Sequence, residues 1–309
     1  MKRPGNKPPQ PAPATVAHLG EDRLVAQLTR LLPDPDARVR IGIGDDCAAV
    51  RSGSKTLELL KTDAVVEGVH FTAETDPARV GWKALARAIS DIAAMGGWPE
   101  YALVTVAIPP STPVLWMHGL YKGLRRAARK FGIQIIGGET TRSTGPVFAS
   151  ITLTGQVEPN RCVSRAGGRP GDILYVTGRL GGSLAGKHLD FIPRLEEARW
   201  LVTHFKPSAL MDLSDGLGSD LPRMARASGC GYALDPDRVP RTRGASVTQA
   251  LSDGEDFELL LAHPAKNAAR LEAAWKKRFP RLPLTAIGSL TANPSARSIP
   301  HGFDHFPQP

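Results

Sequence analysis

Apolar residues recur at helical spacing along much of the chain, and shorter apolar runs separate these stretches. Leu24, Val25, Leu28, Leu31 and Leu32 predict a helix over 21–32, which Pro33 and Pro35 stop. In 81–97, Trp82, Leu85, Ile89, Ile92 and Met95 fall on one helical face, and Gly96-Gly97 ends the helix. Further helices are predicted over 114–132, 197–205 and 265–279, and another follows residue 212, capped by Ser214 or Asp215. A strand enters at 38–43, breaks at Gly44-Asp45-Asp46 and resumes at Ala48. The next is predicted over 57–63, ending at Thr62-Asp63 before a loop. Others fall at 101–109, 133–141 and 147–157, within 169–178, just before 213, within 255–264 and at 284–291. Strands and helices alternate in both halves, so the class is α/β or α+β. Residues 1–17, rich in Pro, Ala and Lys, read as a disordered tail. The region 158–169 has no periodicity. It marks the expected boundary between an N-terminal domain over 18–157 and a C-terminal α/β domain over 158–309.

A chain of 309 residues is long enough for two domains with real cores. Hydrophobic residues at 41% and charged residues at 22% argue against a wholly disordered chain. No apolar run approaches the roughly 20 residues of a membrane span. The formal net charge of +9 suits nucleic acids and phosphorylated small molecules alike. Aromatic residues are 6%, and no basic stretch interleaves with them, so a stacking platform for single strands is unsupported. The basic runs at 125–130 and 276–278 read as solvated helix faces. Cys47, Cys162 and Cys230 form neither a CxxC nor a disulfide pattern and fit a reducing compartment. The first twenty residues lack the apolar stretch of a secretory signal, so a cytoplasmic protein is expected.

Candidate chemistry lies in the acidic residues. Asp45, Asp46, Asp63, Asp91, Glu139, Asp212, Asp215 and Glu255 mostly sit beside Gly, Ser or Thr at predicted strand ends. Any one such turn is ordinary turn chemistry. Their repetition after apolar strands favours a site for several Mg2+ ions and a nucleotide. Mg2+ takes oxygen ligands, and phosphoryl transfer needs charge neutralisation more than covalent help. No GxxxxGK followed by Ser or Thr is present, which excludes a P-loop. Gly42 and Gly44 lack the third glycine of a dinucleotide fingerprint, and the two carboxylates after them would repel a pyrophosphate. Neither GxSxG nor HExxH occurs.

GIGDDCAAV (42–50), KTDAVVEGVHF (61–71), GWKALARAISDIAAMGGWP (81–99) and IIGGETTRS (135–143) resemble the thiamine-monophosphate kinase family. SRAGGRPGDILYVTGRLGGSLAG (164–186), MDLSDGLGSDLPRMARASG (211–229), SDGEDFELL (252–260) and GFDHF (302–306) continue the resemblance in the family's order. It covers nearly all of the chain except the N-terminal tail. The family is similar to aminoimidazole ribonucleotide synthetase, selenophosphate synthetase and a hydrogenase-maturation protein, all ATP-using enzymes without a P-loop. The resemblance implies phosphorylation of thiamine monophosphate by ATP to thiamine diphosphate. Transfer would be direct and in-line, with several Mg2+ ions and no catalytic side chain. It also implies the two-domain fold of that superfamily and a homodimer paired through the N-terminal β-sheet domains, with no nucleic acid and no membrane as partner.

By the same resemblance, Asp46, Thr62, Asp63, Asp91, Asp212 and Asp215 are expected as metal ligands, with Lys61 and Glu139 at further positions of that set. Tyr121, Gly137, Gly138, Glu139, Arg165 and Ser214 are expected at ATP, and His70, Glu255 and Phe303 at thiamine monophosphate. Glycine at 137 and 138 would let backbone approach the phosphates. The chain departs from the family where Lys61 replaces the usual Ser or Thr, Glu139 the usual Asp, Ser252-Asp253 a Gly-Gly pair, and Phe257 a Tyr. A sister enzyme of the superfamily is the alternative. The Pro/Lys tail carries no cysteine of a selenophosphate synthetase, and HFPQP is not the cysteine tail of the maturation protein. A non-catalytic basic nucleic-acid-binding relative would be expected to lose the acidic set.

Overall fold

The computed structural model describes residues 15–53, 55–293 and 299–306. Strands β1 (Val39–Ile41), β2 (Ala48–Arg51), β3 (Leu57–Val66), β4 (Trp98–Ile108), β5 (Gln134–Arg142) and β6 (Phe148–Val157) form one sheet in the order β1-β2-β3-β6-β4-β5. Neighbours are antiparallel except β4 and β5. That parallel pair is joined through helix α4 (Val114–Phe131), the crossover such a pair requires. Burial alternates along β3: Leu57, Leu59 and Val65 are inside, while Leu60 and Thr62 are exposed. One sheet face is therefore core and the other open. β3 does not stop at Thr62-Asp63 as the sequence predicts. It pairs with β6 continuously from Leu57 to Val66, and the β-branched Val65 and Val66 extend the ladder.

Helix α3 (Pro77–Ala94) covers the inner face. Asp76 caps it by accepting the Ala78 N–H, with Pro77 in the first turn. Fourteen of its eighteen residues are buried, because α3 packs on β3 and β6 and also on the second sheet. It crosses α4 at glycines. A Cβ on Gly81 would lie 2.0 Å from the Leu120 carbonyl, and one on Gly123 2.0 Å from that of Ala78.

The second sheet holds β7 (Ile173–Thr177), β8 (Ala209–Asp212), β9 (Gly231–Leu234), β10 (Leu259–His263) and β11 (Leu284–Thr291) in the antiparallel order β8-β10-β7-β11-β9. Both faces are covered. Leu174, Val176, Met211 and Leu260 pack with α6 (Leu217–Ala227) and α7 (Val247–Ser252). Tyr175, Leu210, Leu259 and Leu261 pack with α5 (Leu195–His204) and α8 (Ala268–Arg278). The sequence pattern leaves β9 and α7 unassigned, since four and six residues are too few to show a period. The N-cap of α6 is Gly216, not Ser214 or Asp215. The Asp220 carboxylate reaches back instead and accepts the Asp215 N–H at 3.1 Å.

Residues up to Asp34 group with those from Asp304 on, and Pro35 to Phe303 form a second compact unit. In the first, α1 (Val16–Leu19) and α2 (Glu21–Thr29) bury no residue. Most of the expected disordered tail, residues 1–14, lies outside the described residues, while Val16 and Ala17 open α1. Among the described residues no helix is long and apolar enough to cross a membrane.

Candidate active site

Three carboxylates from distant parts of the sequence converge. Asp46 comes from the turn between β1 and β2, Asp91 from the last turn of α3, and Asp212 from the end of β8. All three are buried, and one oxygen of each lies within 4.8 Å of the others. Gly44, at φ +108°, makes the turn that aims Asp46 inward. Arg165 Nη2 donates to Asp46 Oδ1 at 2.6 Å, and the Arg165 backbone N–H donates to Asp45. Ser90 Oγ donates to Asp212 Oδ2 at 2.6 Å, and Lys61 Nζ pairs with Asp91 Oδ1 at 2.8 Å. Asp46 Oδ2 is buried without a hydrogen-bond partner.

These carboxyls are short of positive charge. Burial, and then the Asp46 charge, lift Asp212 to about 7. Burial lifts Asp91 well above the carboxylate range against the pull of Lys61, with Asp212 and Asp63 adding to the rise. Burial and the Asp46 charge bring Asp45 to about 6. Buried oxygen donors that converge, one of them unpartnered, suit a hard divalent cation such as Mg2+.

A second run of charge leads away along α3, where Lys83, Arg87 and Asp91 repeat at every fourth position and so share a face. Arg87 Nε donates to Asp63 Oδ2 at 3.1 Å. The Lys83 ammonium is fully buried and donates to the His70 carbonyl at 2.6 Å and to Glu255 Oε2 at 2.7 Å. His188 Nδ1 lies 2.9 Å from the same carboxylate oxygen. Burial works to raise Glu255, but its hydrogen bond with His188 and the Lys83 charge bring it down to about 2. Burial lowers Lys83 to about 8 against the pull of Glu255.

Glu255 and Phe257 both adopt the left-handed region, at φ +52° and +50°. Side-chain-bearing residues stay there only where surroundings impose it. The Glu255 N–H donates to the Ser214 carbonyl at 2.6 Å, and that of Phe257 to Leu213 at 2.8 Å. Asp256 between them accepts the Gly181 N–H, and the Phe257 ring stacks on Phe191 with centroids 3.9 Å apart. Arg194 grips the buried Glu258 through two hydrogen bonds of 2.6 Å.

Of the residues singled out from the sequence, Asp46, Lys61, Asp63, Asp91, Arg165, Asp212 and Glu255 belong to these two connected groups. Lys61 cannot act as a metal ligand through its side chain, because a protonated ammonium has no lone pair; it pairs with Asp91 instead. The Thr62 side chain lies on the opposite sheet face, 3.3 Å from Ser150 Oγ, since alternate residues of β3 face opposite ways. His70 adjoins the Lys83 group, and its Nδ1 accepts the Val66 N–H at 3.0 Å. Asp215 pairs with Arg223, and its carbonyl accepts the Phe303 N–H at 2.8 Å. Gly302 makes that docking possible, for a Cβ there would lie 2.0 Å from the Asp215 carbonyl.

Gly137, Gly138 and Glu139 lie on the sheet-edge strand β5, and Tyr121 on the exposed side of α4. Among the described residues no hydrogen bond or ion pair ties Glu139 or Tyr121 to the carboxylates. Gly138 answers to its neighbouring strand, for a Cβ there would lie 1.9 Å from the Val104 carbonyl. Sequence reasoning missed Lys83, Arg87, Ser90, His188 and Asp220. The repeat of Lys83, Arg87 and Asp91 at every fourth position of a largely apolar helix was the available signal for the first two.

A family model described as AIR synthase related protein, N-terminal domain, matches residues 44–157. Thiamine-monophosphate kinase of Salmonella typhimurium is 32% identical to this chain, over 94% of the chain and 99% of that protein. The thiamine-monophosphate kinase of Rhodopirellula baltica is 36% identical, over 90% of the chain and 93% of that protein. A solved structure of AaThiL complexed with AMPPCP and TMP superimposes with a TM-score of 0.82 at 30% identity, covering 96% of this chain and all of that one. With its two sheets, its buried carboxylates and its near full-length match to these relatives, the chain belongs to the thiamine-monophosphate kinase family.

Proposed function

We propose that the chain transfers the γ-phosphoryl group of ATP to the phosphate of thiamine monophosphate, releasing ADP and thiamine diphosphate. The observation that carries this reading is the buried meeting of Asp46, Asp91 and Asp212 in a chain of this family. Both reacting groups are anions, so the work of the site is to gather positive charge and align them. Bound Mg2+ at these carboxylates would supply charge to the phosphate oxygens. Arg165 adds a fixed cation beside Asp46. The acceptor phosphate is already ionised at neutral pH, so no strong general base is needed and transfer is direct. Glu255, held ionised by the Lys83 ammonium and His188, is assigned to the side of the site that takes the cationic thiazolium. Phe303, 43% exposed, offers an aromatic face to the same cation.

We assign Asp63, Glu139, Asp215 and the Thr62 carbonyl to further ions. Tyr121, Gly137, Gly138 and Ser214 go to the nucleotide, and His70 to thiamine monophosphate. The reading extends to domains over 18–157 and 158–309, to a cytoplasmic location suited to three unpaired cysteines, and to a homodimer. The open face of the first sheet, with Leu60, Tyr101 and Leu103 exposed on it, supports such a dimer.

Purified protein incubated with γ-labelled ATP, Mg2+ and thiamine monophosphate tests the reading. Label should appear in thiamine diphosphate. Label trapped on the protein with ATP alone, or turnover without thiamine diphosphate, contradicts it.

A further inference from the structure

Lys61 places a side-chain cation inside the carboxylate cluster. Its ammonium lies 2.8 Å from Asp91 Oδ1, and Asp91 is one of the three carboxylates whose oxygens converge within 4.8 Å. The pair is largely withdrawn from water, with side-chain exposures of 22% and 9%. β3 carries Lys61 and Asp63 on the face that packs on α3, so the stem runs straight to the helix turn bearing Asp91. Arg87 does the same for Asp63 at 3.1 Å, and Arg165 for Asp46 at 2.6 Å. Four carboxylates thus face three tethered cations. Left alone, carboxylates this close and this buried would be strongly unfavourable as anions. A lysine ammonium is a compact point charge, comparable in reach to one ion of a multi-ion site.

We propose that Lys61 is a positioning residue that stands in for one divalent cation at Asp91. The site would then form without metal and take one ion fewer per chain than its carboxylates would otherwise hold. This rests on the reading of Asp46, Asp91 and Asp212 as a metal site. An incoming ion would be held by Asp46 Oδ2, which is buried without a partner, and by Asp212, while Asp91 Oδ1 stays with Lys61.

The test counts bound Mn2+ per chain by electron paramagnetic resonance, at saturating non-hydrolysable ATP analogue, in wild type, Lys61→Met and Lys61→Arg. Lys61→Met should bind one more Mn2+ than wild type, and Lys61→Arg the wild-type number. In EDTA, Lys61→Met should melt below wild type and recover most of the difference on adding Mg2+. If Lys61→Met does not fold, Lys61→Ser, which leaves room for water, carries the same count. Equal, non-zero counts in wild type and the neutral variant overturn the proposal and leave the metal site standing. No bound Mn2+ in wild type overturns both.

Discussion

The two sheets are buried in different ways. Along β3 and β6 buried and open positions alternate, whereas every residue of β8 and β10 is buried. One sheet keeps a bare face and the other is packed between helices. Both are antiparallel where they matter, so the difference comes from what covers them rather than from strand direction. Helix α3 explains where the chemistry sits, because it packs on both sheets and is itself buried nearly all round. Polar side chains on such a helix must be paired, and Lys83, Arg87, Ser90 and Asp91 all are. The acidic cluster is thus built at the contact of a half-open sheet with a closed one, and Asp212 is the closed sheet's contribution.

The largest expected effect is at that contribution. Asp212→Asn should lower kcat about 1,000-fold or more, the scale of removing charge stabilisation from the transferring group. Its melting temperature should not fall, since an unfavourable buried charge is removed. Steady-state kinetics beside a thermal melt checks both, and near-normal turnover would remove Asp212 from the site.

Next in size is the contrast between the sheets themselves. Leu261→Ala in the closed sheet should cost about 2–5 kcal/mol in urea unfolding. Leu103→Ala on the bare face should cost about 0.5 kcal/mol or less in the monomer. Leu103→Asp sharpens the comparison: it should shift the sedimentation of the proposed dimer toward monomer while leaving the monomer folded. A dimer unaffected by that charge is not paired through this face.

The smallest effect is on pH dependence. Asp212 has a folded value of about 7 against an ordinary 3.8, so the folded chain holds a proton that the unfolded chain has lost. Stability without metal should therefore fall as pH rises from about 4 through about 7. Mg2+ should reduce the fall, and Asp212→Asn should make it shallower without abolishing it, because burial also raises Asp45, Asp91, Asp220 and Asp256. Glu255 works in the opposite sense and lower down: its value of about 2 against 4.5 gives stability that is lost only as pH drops below about 4.5. Melts of the metal-free protein from about pH 2 to pH 8 separate the two, the loss on acidification below about 4.5 belonging to Glu255 and the loss on rising toward 7 to the raised aspartates.

Much of this was legible in the sequence. The long helices and strands announced themselves because their periods run for several turns or pleats. β9 and α7 did not, being short and held by tertiary packing. Asp46 and Asp212 were legible as turn residues after apolar strands, Asp91 lay inside a predicted helix, and the three do meet. How far β3 runs past Thr62 was hidden, because its pairing with β6 through Val66 is a non-local property. The partners of those carboxylates were hidden for the same reason. Lys61 meets Asp91 across thirty positions of chain, and Arg165 meets Asp46 across 119. Lys83 and Arg87 were there to be read from their spacing with Asp91.

Crystals grown with Mn2+ and a non-hydrolysable ATP analogue test the central claim most directly, through the anomalous signal of the metal. The account predicts a peak about 2.1 Å from oxygens of Asp46 and Asp212, next to nucleotide phosphates. Nucleotide bound with no metal among these carboxylates, or metal held only elsewhere, would contradict it.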